Sequence, residues 1–591
     1  SGRTLPRRAR RPPARATARR RTASCLPGRD SARATDQDAT ALPRGAVAFL
    51  LLTVFCSGTA VMAVEMTAVR VLQPFFGSTN YVWTNVIGIV LAALSIGYAV
   101  GGRLADRRPS PTILYGLLAA GGLAVLAGAP LATPVSEWLL PVELHVEGVA
   151  GTLVRASFGA ALLLFAPPTL LLGMVSPMAV RLLSEGGVGR AAGRVFALGT
   201  VGSILGTYLP TYVLVPHVGS RMTLVFAAAL LIVPAVIGLG WFGRRRGVAG
   251  AAVLLMVALP TGALAHPQPR RRVPDLPADG VANVLAEGES PYQYVTVRED
   301  RFPGGVTFRL LTLNEGVYTY HSFDVVGSVL TNSRYYDDYA LIPLLLDVAP
   351  GERLRGAVVG LAGGVTSRQW RHFWSGVYDL HVDGAEIDPL VVEWGRRWFH
   401  LPEQDADWLD VHVMDGRQML AAGPAGDAGY HMIVVDAFTQ ELYIPFHLGT
   451  REFFELCRSR LAPGGIVAMN VYAYHADSPN LLAIENTLAT VFGAAVRVRQ
   501  TWQGNFVLLA RNGDGPPDVT RLAPARVARR FGPRAEVKEW DSLVRLAAAV
   551  PGKSIEVQPD PARLVLTDDD APLERLMDEM IERKERELRG R

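Results

Sequence analysis

The 591-residue sequence has little cysteine: Cys25, Cys56 and Cys457 stand alone, with no paired spacing. That argues against a disulfide framework and against a zinc site, and no resident metal is expected. No acidic residue precedes Asp30, and charges are few between residues 45 and 265. The first gap leaves a basic start, and the second excludes an ordinary soluble fold for that stretch. The glycine-bearing turn at Gly360–Gly364 lacks both a full G-x-G-x-x-G pattern and a P-loop lysine, so phosphate binding is not indicated. The net charge of +5 comes mostly from the arginine-rich start, so no nucleic-acid partner is expected.

What is present divides the chain into unlike parts. Residues 1–44 are rich in Arg, Pro, Ala and Thr and read as a disordered basic tail, either an arm placed to meet anionic lipid or a solvated tail. Residues 45–266 read as a transmembrane domain, because crossing a bilayer takes roughly 20 apolar residues per helix. The candidate spans are 46–69, 82–102, 112–130, 157–180, 195–216, 222–242 and 248–265. Arg103, Arg107, Arg108, Arg181, Arg190, Arg194 and Arg244–Arg246 alternate to one side, which puts the N terminus in the cytoplasm. An odd count would place the rest of the chain outside, whereas Arg270–Arg272 favours inside. A multi-pass cell-membrane protein with a cytoplasmic C-terminal half is the expectation. Within the first span Glu65 and Arg70 suggest an interfacial pair. Pro167, Pro168, Pro177 and Pro210, with Gly173, Gly199, Gly202 and Gly206, allow kinks and close helix packing.

Residues 267–282 form a Pro/Arg linker, and alternating β-branched and aromatic residues predict a small antiparallel sheet over 283–345. Residues 346–591 read as a Rossmann-like α/β domain. The stretch around Ala357–Pro389 organises it: an apolar strand, the turn at Gly360, Gly363 and Gly364, a helix, and a second strand ending in Glu386 and Asp388. Such a unit lets the backbone approach a nucleoside while a strand-end carboxylate takes its ribose hydroxyls. Two further predicted strands end in Asp415–Gly416 and in Asp436, so acids from three strands share one crevice edge.

With those residues in place, the C-terminal half resembles the spermidine synthases, the polyamine aminopropyltransferases, and the whole chain resembles their membrane-fused versions. Gly101–Arg108, GGRLADRR, is in addition similar to the loop between the second and third helices of major facilitator superfamily transporters. The aminopropyltransferase resemblance implies decarboxylated S-adenosylmethionine as co-substrate, no tightly bound cofactor, a small amine such as putrescine as acceptor, and a homodimer through the catalytic domain. It assigns Gly360, Gly363, Gly364, Glu386, Asp388, Asp415 and Gly416 to the nucleoside, and Asp436 and Tyr335 to catalysis. Glu315, Asp337, Thr439 and Glu441 fall to the amine. The sequence departs from the family at Gly363, where an aspartate would hold the aminopropyl ammonium, at Thr319 in place of a glutamine, and at Thr439 in place of a second aspartate. The closing Thr567-Asp568-Asp569-Asp570-Ala-Pro572 also resembles the fused group, or caps the helix that follows.

Such chemistry is displacement at a carbon beside a sulfonium. The attacking amine must be neutral, and a free alkylamine has a pKa of about 10. A carboxylate such as Asp436 can bind the ammonium and take its proton. The glycine at 363 leaves two alternatives open: a different S-adenosylmethionine-dependent transferase, such as a methyltransferase, or a non-catalytic transport or sensing protein.

Overall fold

The computed structural model describes residues 42–76, 80–139, 149–242, 281–302, 305–313, 320–331, 334–404, 406–438, 443–499 and 504–589. The N-terminal half is built of helices: α1 (Arg44–Phe76), α2 (Asn80–Arg107), α3 (Pro111–Leu139), α4 (Val149–Leu164), α5 (Ala166–Gly173), α6 (Val175–Leu183), α7 (Val188–Leu209) and α8 (Val215–Phe242). Five stretches are long and apolar enough to cross a membrane: Arg44–Phe76, Val82–Arg107, Pro111–Leu139, Ala166–Leu183 and Val188–Phe242. The last runs for 55 residues. At 1.5 Å per residue that is far longer than one bilayer core of about 30 Å. A π-helical turn at Pro210–Leu214 and the non-helical Gly219 (φ 78°, ψ 165°) divide it, where the sequence predicted two spans. The span expected at 157–180 is interrupted at Phe165 and Met174, with Pro167 in the first turn of α5. Residues 248–265 lie outside the described residues.

Small residues bring α1 and α7 into backbone contact. A Cβ on Gly202 would stand 2.3 Å from the Phe55 carbonyl oxygen, and one on Gly206 would stand 2.1 Å from that of Thr59. Without a hydrophobic drive between helices in lipid, such close approach is what holds them together.

The C-terminal half carries two sheets. Strands β1 (Val281–Glu289), β2 (Tyr294–Arg301), β3 (Thr307–Leu313) and β4 (Ser322–Val325) form an antiparallel meander, as their alternating residues predict. The second sheet contains β5 (Arg353–Val359), β6 (Asp379–Glu386), β7 (Leu409–Val413), β8 (Tyr430–Val435), β9 (Leu461–Tyr472), β10 (Ala495–Arg499), β11 (Asn505–Arg511) and β12 (Ser554–Val557). Its order is β12-β10-β11-β9-β8-β5-β6-β7. The five strands from β9 to β7 are parallel, and the other three extend the sheet antiparallel. Both faces are covered, as a parallel sheet requires. Leu354 and Val358 of β5 pack with Trp370 and Phe373 on one face, and Ala357 and Val359 with Ile433 and Phe453 on the other. The strand order reverses between β5 and β8, so their carboxyl ends open a crevice.

The halves meet at the β1–β2 turn. The Arg70 guanidinium donates to the carbonyls of Ser290, at 3.0 Å, and Pro291. The Ser220 N–H donates to the Glu289 carboxylate at 3.1 Å, and its hydroxyl does so as well. The expected Glu65–Arg70 pair does not form: Arg70 reaches across to the turn, and among the described residues Glu65, though 7% exposed, has no ion-pair partner.

Candidate active site

The site is built on the carboxyl ends of β5, β6, β7 and β8. After Val359 the chain turns through Gly360 (φ 89°), where a Cβ would lie 2.4 Å from the Asp436 carbonyl oxygen. Ala362 (φ 45°) is held in the left-handed region that favours glycine, and Gly364 (φ 78°) closes the turn. Every amide of the turn is engaged. Gly360 and Leu361 donate to the Ala385 carbonyl, Ala362 to Glu386 Oε2 at 3.1 Å, Gly363 to Ser322 Oγ at 2.6 Å, and Gly364 to the Leu361 carbonyl. The five turn amides are thus committed within the protein, and the next N–H groups, those of Val365, Thr366 and Ser367, open the helix Val365–Trp374.

Glu386 therefore faces the turn from the end of β6, and its Oε1 accepts the Asp388 N–H at 3.1 Å. Burial pushes its carboxyl up to about 7, against the pull of its backbone hydrogen bonds. Asp388, expected to touch the nucleoside, is fully buried and turned into the protein. Oδ1 caps the helix Pro389–Trp398 through the Leu390 N–H at 2.9 Å. Oδ2 accepts from Ser290 Oγ at 2.6 Å and Gln293 Nε2 at 3.1 Å. Asp388 thus supports Glu386 rather than extending it. Asp415 caps the helix Gly416–Ala422 through the Gln418 N–H at 3.0 Å, and its other oxygen meets His447 Nε2 at 3.1 Å. Gly416 packs on Val359, where a Cβ would be 2.4 Å from Cγ1.

Asp436 follows β8 and is half-buried. Its carboxylate accepts from Asn470 Nδ2 at 3.1 Å and from the Tyr335 hydroxyl. Burial pushes it up to about 7, while those two hydrogen bonds pull it down. Tyr335 is fixed by its neighbours: its ring stacks on Tyr336 at 4.2 Å and meets Tyr339 edge-on at 5.8 Å. Burial and the Asp436 charge hold the Tyr335 hydroxyl well above its ordinary pKa, so it is a donor, not a phenolate. Asp337, assigned to the amine by resemblance, is 1% exposed. Its Oδ1 accepts from the Thr331 N–H and hydroxyl and from Gln369 Nε2 at 2.8–2.9 Å, which anchors the helix start that presents Tyr335. Glu315, Thr439 and Glu441 lie outside the described residues.

At Gly363 an aspartate has no room: a Cβ would stand 2.7 Å from Ser322 Oγ and 2.8 Å from the Phe399 ring. Sequence reasoning missed the supporting set of Ser290, Gln293, Ser322, His447 and Asn470, which come from distant segments and carry no local motif. It saw the Asp568 cluster without its use. Arg417, next to Gly416, grips Asp568 with both nitrogens at 2.8 and 2.6 Å, and Thr450 donates to it at 2.7 Å. A separate group, His381, Asp383 and Asp410, has ligand-type atoms within 4.8 Å of one another. These are already committed to pairs, His381–Asp410 at 3.3 Å and Asp383–His412 at 2.9 Å, with Tyr430 donating to Asp383.

The crevice thus gathers a glycine turn, a carboxylate that faces it and an acid pushed up to about 7 beside a tyrosine. No family model matches the chain. The "Probable polyamine aminopropyl transferase" of Bifidobacterium longum is 27% identical over 297 residues, 49% of this chain, and the chain spans only 62% of that relative's length. The polyamine aminopropyltransferase of Vibrio vulnificus is 29% identical over 280 residues, covering 46% of this chain and 86% of its own. That of Mycobacterium tuberculosis is 24% identical over 450 residues, covering 70% of this chain and 81% of its own. Among solved structures, a spermidine synthase complex with the transition-state analogue AdoDATO covers 46% of this chain and 85% of its own at 18% identity and a TM-score of 0.33. The C-terminal half is thus spermidine synthase-like in sequence, joined to a half of long apolar helices.

Proposed function

We propose that the chain is a membrane-bound polyamine aminopropyltransferase, moving an aminopropyl group from decarboxylated S-adenosylmethionine to a di- or polyamine such as putrescine. The observation that carries this reading is Asp436: a carboxyl pushed up to about 7, held by Asn470 and Tyr335 at the end of β8. A base serves best when its pKa lies near the working pH. Asp436 accepts the ammonium of the incoming amine, removes its proton and leaves the lone pair directed at the carbon beside sulfur. Tyr335 donates to Asp436 and orients it. Glu386 receives the ribose hydroxyls, and the glycine turn lets the nucleoside lie against the backbone. Positioning supplies most of the rate, because the sulfonium is already a good leaving group. Catalytic domains pairing as a homodimer fits this reading.

Gly363 favours a second reading. With no acid there and no room for one, ordinary S-adenosylmethionine becomes the donor of a methyl transfer. One assay separates them. Purified full-length chain is incubated with each donor and an amine, and the nucleoside product is identified. Methylthioadenosine is expected. S-adenosylhomocysteine would move the chain to the methyltransferases, and neither product would leave it a binding or transport protein.

A further inference from the structure

We infer that the catalytic half is docked on the membrane face opposite the arginine-rich loops, so that its crevice belongs to the extracytoplasmic side. The argument rests on which helix ends meet. At one end of the membrane half, Phe49 of α1 packs on Tyr115 near the start of α3, at 5.7 Å, and on Trp241 at the end of α8, at 6.0 Å. Thr112 Oγ1 donates to the Phe242 carbonyl at the same place, at 3.3 Å. The short link from α2 to α3 joins this end and carries Arg103, Arg107 and Arg108. Gly101 of α2 abuts Met174, so α6 ends on this side with Arg181, and α7 begins there with Arg190 and Arg194.

At the other end stand the last turns of α1 and α3 and the first turn of α8 after Gly219. Arg221 of α8 donates to Thr133 of α3 at 3.2 Å. Arg70 and Ser220 hold the β1–β2 turn of the catalytic half here. From Ser220 to Phe242 α8 advances 22 residues, about 33 Å of helix, which is one bilayer core. The basic residues of this end are Arg155, Arg70 and Arg221, and the last two lie beside Glu289. Short loops that keep Lys and Arg lie in the cytoplasm. The chain leaves the described membrane half at Phe242 on the arginine side and resumes at Val281 on the other. One further crossing between those residues is what the apolar run 248–265 offers in the sequence. This reverses the expectation of a cytoplasmic catalytic half, and it stands apart from the reaction proposed for the crevice.

The test uses the full chain in the inner membrane of bacterial spheroplasts, in a Cys25→Ser background. Cys56 and Cys457 are buried. Ser459→Cys places a thiol on the exposed surface of the helix Arg451–Arg460, and Asp106→Cys places one on the exposed end of α2. With a membrane-impermeant maleimide, Ser459→Cys is expected to label about tenfold more than Asp106→Cys in intact spheroplasts, and equally after permeabilisation. The opposite ratio overturns the inference. Protease added to intact spheroplasts carrying the unaltered chain gives a reading that needs no substitution. Loss of the C-terminal half supports the docking side, and its protection until lysis overturns it.

Discussion

Ser290 and Asp388 are joined by a 2.6 Å hydrogen bond, and the same serine offers its carbonyl to Arg70 of the first membrane helix at 3.0 Å. Asp388 in turn presents its N–H to Glu386. A contiguous run of hydrogen bonds therefore leads from a membrane helix to the carboxylate assigned to the donor ribose.

Arg70→Ala removes the outer link of that run. A lost hydrogen bond to a charged donor costs about 1.5 kcal/mol, or about tenfold in an equilibrium. The Michaelis constant for the nucleoside donor is expected to rise by up to that factor with kcat unchanged. Arg70→Lys recovers part of the loss, since an ammonium still reaches one carbonyl. Steady-state kinetics with varied donor give the answer, and a fall in kcat at constant KM would detach Arg70 from Glu386.

Activity should fall in acid. Asp436 and Glu386 are both pushed up to about 7, and both act as carboxylates. Lowering the pH through 7 protonates them, so kcat/KM falls as pH drops below 7 and levels off above it. Asp436→Asn lowers kcat by about 10²- to 10⁴-fold and removes its part of the limb. Glu386→Gln acts chiefly on donor KM. A pH–rate profile that the Asp436→Asn variant leaves unchanged would refute the base assignment.

Gly363→Asp restores the family's residue but not its function. The new Cβ meets Ser322 and Phe399 at 2.7 and 2.8 Å. Overpacking of this kind costs about 1–3 kcal/mol. A lower Tm is expected, with no gain in binding of the decarboxylated donor. Calorimetry with both donors checks it, and a stable variant with tighter binding of the decarboxylated form would show that the turn has room.

Gly206→Val should drive α7 off α1, because the Thr59 carbonyl oxygen lies 2.1 Å from the added Cβ. A loss of about 1–3 kcal/mol is expected. Gly193→Ala, in the same helix with nothing within 4 Å, is the control. It should be neutral, or stabilising by up to about 1 kcal/mol. Thermal unfolding in detergent compares the two.

The strand ends were legible because apolar runs closed by Glu386, Asp415 and Asp436 carry their own period and punctuation. What the sequence could not show is where each carboxylate points. Glu386 and Asp388 are two residues apart, yet one faces the glycine turn and the other is consumed by Ser290, Gln293 and a helix start. Ser290 and Gln293 lie nearly a hundred residues away, and no local pattern announces them. The helix break at Met174 was also hidden, since hydropathy reads apolar content and not backbone direction.

The fully engaged amides of the glycine turn bear on competition for the crevice. The N–H groups of Gly360 to Gly364 already serve Ala385, Glu386, Ser322 and Leu361, so the turn itself is no anion receptor. ATP, ADP and the dinucleotides share the adenosine of an S-adenosyl compound but bring charge that these five amides cannot receive. The turn therefore gives no reward for the phosphates that set those nucleotides apart.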